Sequence, residues 1–309
     1  MVRALRCGHN GPVLSSLVES VQDRVATGFR SIVSGDPNGE PDWVRVISEG
    51  SDEGYFGPGS AAWAVHGGLP TIVGGVRALL LQALHPGALA GVREHSRYEE
   101  DALGRLAGTT QWLTVVTFGA REAADRECAR VRGMHRKVHG EYVNAFGERV
   151  PYSAGDSDLL RWVHLAFTDS FLATHQVWGG EIPGGPDAYV REWAKAGELV
   201  GVVDPPTTVR ELRSQLLDFE PELIGTADTR DTVRFIHHPP LPVAARPAYG
   251  VLFAGALATL SPLHRKKLGL GTVPLSVAKP TVAALLGGLQ LALGSTSPSQ
   301  RRAIRRVQG

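Results

Sequence analysis

Four histidines fall between Leu84 and Gly140: His85 and His95 in LHPGALAGVREHS, then His135 and His139 in MHRKVHG. Imidazole both ligates metals and titrates near neutral pH, so this concentration within sequence of helical pattern points to a metal or cofactor site. Between the two pairs lies GRLAGTT, where Arg105 and Thr109 are one helical turn apart, a guanidinium and a hydroxyl on one face. That planar fork suits a ligand carboxylate, and equally an ion pair with Glu99, Glu100 or Asp101.

The elements that must position these groups read as helices. At about 100° per residue from Cys128, a helix over Ala120 to Val143 places His135 near 340° and His139 near 20°, both on the stripe of Ala124, Val131 and Val138. Two imidazoles in a dry place must each find a partner. The next long pattern, Ser157 to Trp178, has Leu160, Val163, Phe167, Phe171, Thr174 and Trp178 as its apolar stripe, with His164 and His175 on one shoulder. In a helix from Thr71 to Arg93, Arg77, Leu81 and His85 share a face, and Pro86 kinks the chain so that His85 and His95 aim at one interior.

Near-3.6 periodicity dominates the rest, which predicts an all-α protein: a single large helical domain with a buried site between helices. Further helices are expected over Val13 to Ser31, Ser60 to His66, Arg105 to Phe118, Pro186 to Val200, Thr207 to Phe219, Arg246 to Leu260 and Pro280 to Leu293, with Asp156 or Ser157 capping the helix that follows. The chain divides into an N-terminal helix and loop (1–53), a catalytic region (54–295) and a basic C-terminal tail (296–309). The tail carries Arg301, Arg302, Arg305 and Arg306, a solvated terminus or a docking contact to an acidic partner or membrane surface.

Composition bounds the function. With 32 basic and 31 acidic residues there is no global pull on phosphate backbones, so nucleic acid is not an expected partner. The two cysteines, Cys7 and Cys128, show no CxxC or CxxCH spacing, which argues against a disulfide framework or covalent haem and suits a cytoplasmic location. No signal peptide is expected at the N-terminus. The apolar stretches Tyr249 to Leu260 and Thr281 to Gly294 fall short of the roughly 20 residues that span a bilayer, leaving only peripheral membrane contact. There is no GxGxxG or GxxxxGK[ST] loop and no GxSxG elbow.

The strings GYFGPGSAAW, RALLLQALHPGALAGVREHS, GRLAGTTQWLTVVTFG, MHRKVHG and DLLRWVHLAFTDS, in this order, resemble the oxygenase family that includes mpaB and the bacterial rubber oxygenase, latex clearing protein. The resemblance covers roughly residues 54–171. It implies an all-helical fold and a b-type haem between helices, with His139 as the proximal, iron-ligating residue and Arg105 and Thr109 as the pair that positions a propionate or neighbouring ligand. One departure stands out: Gly108 replaces the lysine that can ligate the haem on the distal side in the rubber oxygenase. An open sixth position would favour oxygen or peroxide. On this reading His135 orients the site or moves protons, His85 and His95 supply a distal ligand or an acid and base, and His164 contributes to cofactor binding. The expected substrate is an apolar, isoprenoid-like small molecule, given linings of Leu, Val, Phe and Trp. Two other readings are a non-haem iron oxygenase, with His85, His135, His139 and His164 converging, and a non-catalytic protein that sequesters haem or an apolar ligand. The first lacks the paired Glu-x-x-His motifs of di-iron bundles.

Overall fold

A computed structural model describes residues 23–24, 26–32, 34–95 and 102–309, the side chains of residues 95 and 102–106 excepted. In chain order the elements are α1 (Asp42–Arg45), α2 (Ala61–Gly67), α3 (Pro70–Gln82), α4 (Pro86–His95), α5 (Ala102–Phe118), α6 (Arg121–His135), β1 (His139–Val143), β2 (Arg149–Ser153), α7 (Ser157–Trp178), α8 (Gly185–Val200), α9 (Val209–Asp218), α10 (Ala227–His237), α11 (Arg246–Thr259), α12 (Pro262–Lys267), α13 (Leu275–Leu293) and α14 (Pro298–Gln308). The protein is a predominantly helical single domain, as the periodicity implies. The N-terminal helix expected over Val13 to Ser31 lies largely outside the described residues.

Local chemistry sets the helix ends. Ser60 accepts from the Trp63 amide to start α2, and Pro70, which has no amide hydrogen to leave unpaired, opens α3. The expected single helix from Thr71 to Arg93 is instead two helices broken at Ala83 to His85. His85 Nδ1 accepts from the amides of Gly87 and Ala88 at 3.1 and 3.3 Å, so an imidazole does the work of a helix cap, and Pro86 starts α4 rather than kinking a continuous helix. The helix expected over Ala120 to Val143 also stops early, at His135. Residues 139–143 pair antiparallel with 149–153, His139 opposite Ser153 and Val143 opposite Arg149. Tyr142, Val143, Val150 and Tyr152 suit a pleated ribbon, and Gly147, at φ +83°, allows the turn. Asp156 does sit at the N-cap of α7, but its carboxylate accepts from the Ser153 amide and not from the helix.

The C-terminal residues are not a free tail. Ser297 and Gln300 form a reciprocal cap on α14, Arg306 is buried, and its guanidinium donates to the carbonyls of Asp52 at 3.1 Å, Phe118 at 2.8 Å and Ile47. Arg302 pairs with Glu40 at 2.8 Å. The last segment therefore ties the start of the described chain to the end of α5.

At the centre, α7 runs through the core with α3 laid against it. A methyl placed on Gly74 would lie 2.7 Å from Phe171 Cδ1 and 2.8 Å from Thr174 Oγ1, so only glycine permits this approach. One turn on, the buried Arg77 pairs with Asp169 at 2.7 Å and donates to Ser170 Oγ at 2.8 Å. Its Nε reaches the Thr259 carbonyl of α11 at 3.4 Å. Trp162, Leu165, Tyr189, Trp193, Leu80 and Leu81 fill the space around this junction. Two histidines are part of that core. His66 lies 4.0 Å from Trp193 and 4.9 Å from Phe171, ring centre to ring centre, and its Nε2 is 3.2 Å from the Tyr189 hydroxyl. Burial pushes His66 down to about 3 and His164 down to about 4.

Gly74→Ala is expected to lower unfolding free energy by about 1–3 kcal/mol through overpacking. Gly75→Ala, beside which no atom lies within 4 Å, should be neutral or stabilising by up to about 1 kcal/mol. Chemical denaturation of the pair checks this, and equal effects would refute the packing argument. The buried histidines set a pH dependence. The unfolded chain binds their protons below about 6.5 while the native state refuses them until about 3 to 4. Their contribution is thus complete above pH 6.5 and falls below it by roughly 1.4 kcal/mol per pH unit per histidine. Denaturation midpoints measured from pH 7 to 4.5 should show this fall, with a shallower slope in His164→Gln.

Candidate functional site

The helices α5 and α6 form an antiparallel hairpin whose register is fixed by side chains. Gln111 donates to Glu127 at 3.1 Å, and the Trp112 indole faces the Cys128 thiol, which burial pushes up to about 11. Following the two helices outward by one turn and then two brings Thr109 level with Val131, and the Arg105 backbone position level with His135. Thr109, Trp112 and Leu113 are half-buried, and among the described residues no atom lies within 4 Å of a methyl placed on Gly108. Trp112 continues inward to Trp193, 5.9 Å away ring centre to ring centre.

His135 closes α6. Its Nδ1 is buried and has no hydrogen-bond partner among the described residues, and burial holds its pKa below the usual imidazole value. His139 is elsewhere: because α6 has ended, it is the first residue of β1 and is solvent-exposed. The expected helical pairing of His135 with His139 on one stripe is therefore corrected, and the cause is the strand pairing that begins at His139. A one-turn spacing has meaning only while the helix continues.

The other candidates separate. His85, 2% exposed, spends Nδ1 on the cap of α4, which leaves the proton on Nε2 facing Glu222 at 3.3 Å. Burial, the largest influence, lowers its pKa against the opposing effect of Glu222. His85 packs near Trp162, Tyr142 and Phe219, and its role in this structure is to join the start of α4 to the turn after α9. His164 lies on α7 against Gly197 of α8, where a methyl would come within 2.9 Å of its ring, and its Nε2 is buried without a partner among the described residues. His175 turns its Nε2 to the Gly180 carbonyl at 3.1 Å and closes the end of α7. The side chains of His95 and Arg105 lie outside the described residues.

Among the described residues no group of three or more His, Cys, Asp or Glu side chains is placed to hold a metal ion. His85, His135, His139 and His164 thus do not form the convergent set that a non-haem iron site would need. A recess of about 630 Å³ exists at the α7–α8 turn, lined by Gln176, Glu181, Ile182 and Pro186 among others, away from the hairpin residues. Two polar features escaped the sequence reading: the His66–Tyr189 contact and the Arg77–Asp169 pair. Arg77 was on a recognised face, but its partners come from residues 93 and 182 positions away, and no local spacing signals them.

The description that matches this chain is that of the catalytic domain of the ER-bound oxygenase mpaB/B′ and rubber oxygenase, over residues 63–290. No curated protein and no solved structure gives a significant match. The matched span runs from α2 through nearly all of α13 and includes the α5–α6 hairpin, and the chain belongs to the mpaB/rubber oxygenase family.

Proposed function

We propose that this protein is a haem b-dependent oxygenase acting on an apolar small molecule, with oxygen or peroxide as co-substrate. The observation that carries this reading is the α5–α6 hairpin. Its register brings the Arg105 position level with, and Thr109 within one turn of, an imidazole whose buried ring nitrogen has no protein partner among the described residues. Neutral imidazole is the iron-ligating form, and burial keeps His135 neutral at physiological pH. The half-buried Trp112 and Leu113, with no described neighbour within 4 Å of a methyl on Gly108, suit a flat apolar group. These features fit haem, which when bound supplies the oxygen chemistry.

The chain's own residues divide the remaining work. In this reading His135, half-buried at the end of α6, would hold the iron; family resemblance implies His139 instead, which lies exposed at the start of β1. Arg105 binds the carboxylates of the group through its planar fork, and Thr109 offers a hydroxyl one turn away. Gly108 offers no ligating side chain where the rubber oxygenase has lysine, so access is left to small ligands. Trp112 and Leu113 exclude water from the apolar side and favour a hydrocarbon-rich substrate. His85 is no acid or base in this scheme, since protonating its Nδ1 would cost the cap of α4.

The test is the ultraviolet and visible spectrum of protein expressed with a haem precursor. A Soret band of near-stoichiometric intensity is expected, retained in His139→Ala and almost wholly lost in His135→Ala. Loss in His139→Ala alone would return the ligand to His139. No band in any of the three proteins would defeat the haem reading, and bound iron without a porphyrin spectrum would favour a non-haem oxygenase. Gly108→Lys, which adds an amine where a methyl meets no neighbour, is expected to slow cyanide binding to the loaded protein at least tenfold. Unchanged cyanide binding would remove Gly108 from the site.

A further inference from the structure

Charge is divided sharply along this chain. From Thr232 to Gly309 there are ten Lys and Arg and no Asp or Glu, so the residues before them carry 22 basic against 31 acidic groups. Within that acid-free quarter lies α13, long and apolar enough by composition to cross a membrane, yet mostly solvent-exposed in the fold. One side of α13 is anchored: Ala278, Val282, Leu286 and Leu289 are buried, and Val282 packs at Gly255 of α11, where a methyl would come within 2.8 Å. The opposite side presents Val277, Pro280, Ala284, Gly287, Gly288 and Leu291, without one charged residue. Leu291 is 78% exposed and Val277 58%, and methyls placed on Gly287 or Gly288 would meet nothing within 4 Å. A helix facing water ordinarily carries charge on that side.

We propose that α13 is a membrane-docking helix that lies on an anionic lipid surface with its outward face in the bilayer interface. The charges of the acid-free segment that carries it select the occupant. Lys266, Lys279, Arg301 and Arg305 are exposed on α12, α13 and α14, and none forms an ion pair with a carboxylate among the described residues. A second copy meeting the first through this face would bring the same cations together, whereas acidic headgroups neutralise them. A helix whose outward face is apolar, and whose own charge, Lys279, and segment are basic alone, has the pattern of interfacial helices. The 19 residues of α13 remain held along one side by the protein, which favours lying on the surface over crossing it. This inference stands independently of the haem reading.

The test is co-sedimentation of the full chain with vesicles of phosphatidylcholine, with and without phosphatidylserine. Binding is expected only with phosphatidylserine, weakened at about 0.5 M salt, where the screening length falls to a few ångströms. Each alanine replacing Lys266, Lys279, Arg301 or Arg305 should reduce partitioning about fivefold. Ala284→Glu and Leu291→Glu should abolish it without changing the melting temperature, since both sites face outward. Absence of sedimentation, equal binding to neutral vesicles, or binding indifferent to the two glutamates would overturn the proposal. So would a lipid-free dimer that the same glutamates dissolve, which would make the face a contact between copies.

Discussion

The close approach of α3 to α7 is the constraint on which the other placements rest. Gly74 lets the two backbones meet, and Arg77, carried inside by that approach, must then find compensation for a charge removed from water. Asp169, Ser170 and the Thr259 carbonyl supply it, so one guanidinium joins three helices. Removing one partner of such a pair typically costs about 3–5 kcal/mol, more than the pair contributes over an apolar substitute. The arrangement thus specifies which helices meet at least as much as it stabilises them. From it follow the position of His85 at the exit of α3, the seat of α11 and, through α11, the exposure of α13.

The proposed site lies on a different pair of elements, and its reading turns on where a helix ends. With α6 continuing to Val143, His135 and His139 would be equivalent candidates one turn apart. With α6 ending at His135, one imidazole is half-buried beside α5 and the other is on a strand in solvent. Most other buried histidines are occupied structurally: one caps a helix, one meets a tyrosine hydroxyl, one closes a turn. Histidine enrichment counts groups that serve the fold: His85, His66 and His175 are engaged with a cap, a hydroxyl and a carbonyl.

The basic C-terminal segment shows the same division of roles within one helix. Arg306 is inside, giving hydrogen bonds to three carbonyls, and Arg302 has a carboxylate partner. Arg301 and Arg305, on the other face of α14, are exposed. Four arginines in a run read as one charge cluster; helical geometry separates them by about 100° per residue into structural and solvent-facing sets.

The sequence by itself determined the helical class, the family, and the limits of several helices, including Ser157 to Trp178 at both ends. Those properties are carried by local periodicity, caps and motif order, which a linear reading can see. It also set the order in which Arg105, Thr109 and the two histidines of MHRKVHG follow one another along the chain. Tertiary structure decided that His135 ends a helix and His139 opens a strand, because the hairpin of β1 and β2 ends a helix that the apolar pattern alone would continue: cross-strand pairing between residues 139–143 and 149–153 outweighs a few tenths of a kcal/mol of helical preference. It likewise decided that Arg77 meets Asp169, that His85 is a cap, and that the last residues form a docked helix. Arg77, the docked last helix and the Nε2 side of His85 depend on partners distant in the chain, although the amides that His85 caps are two and three residues away; the free energy of burying a polar group is set by its partners.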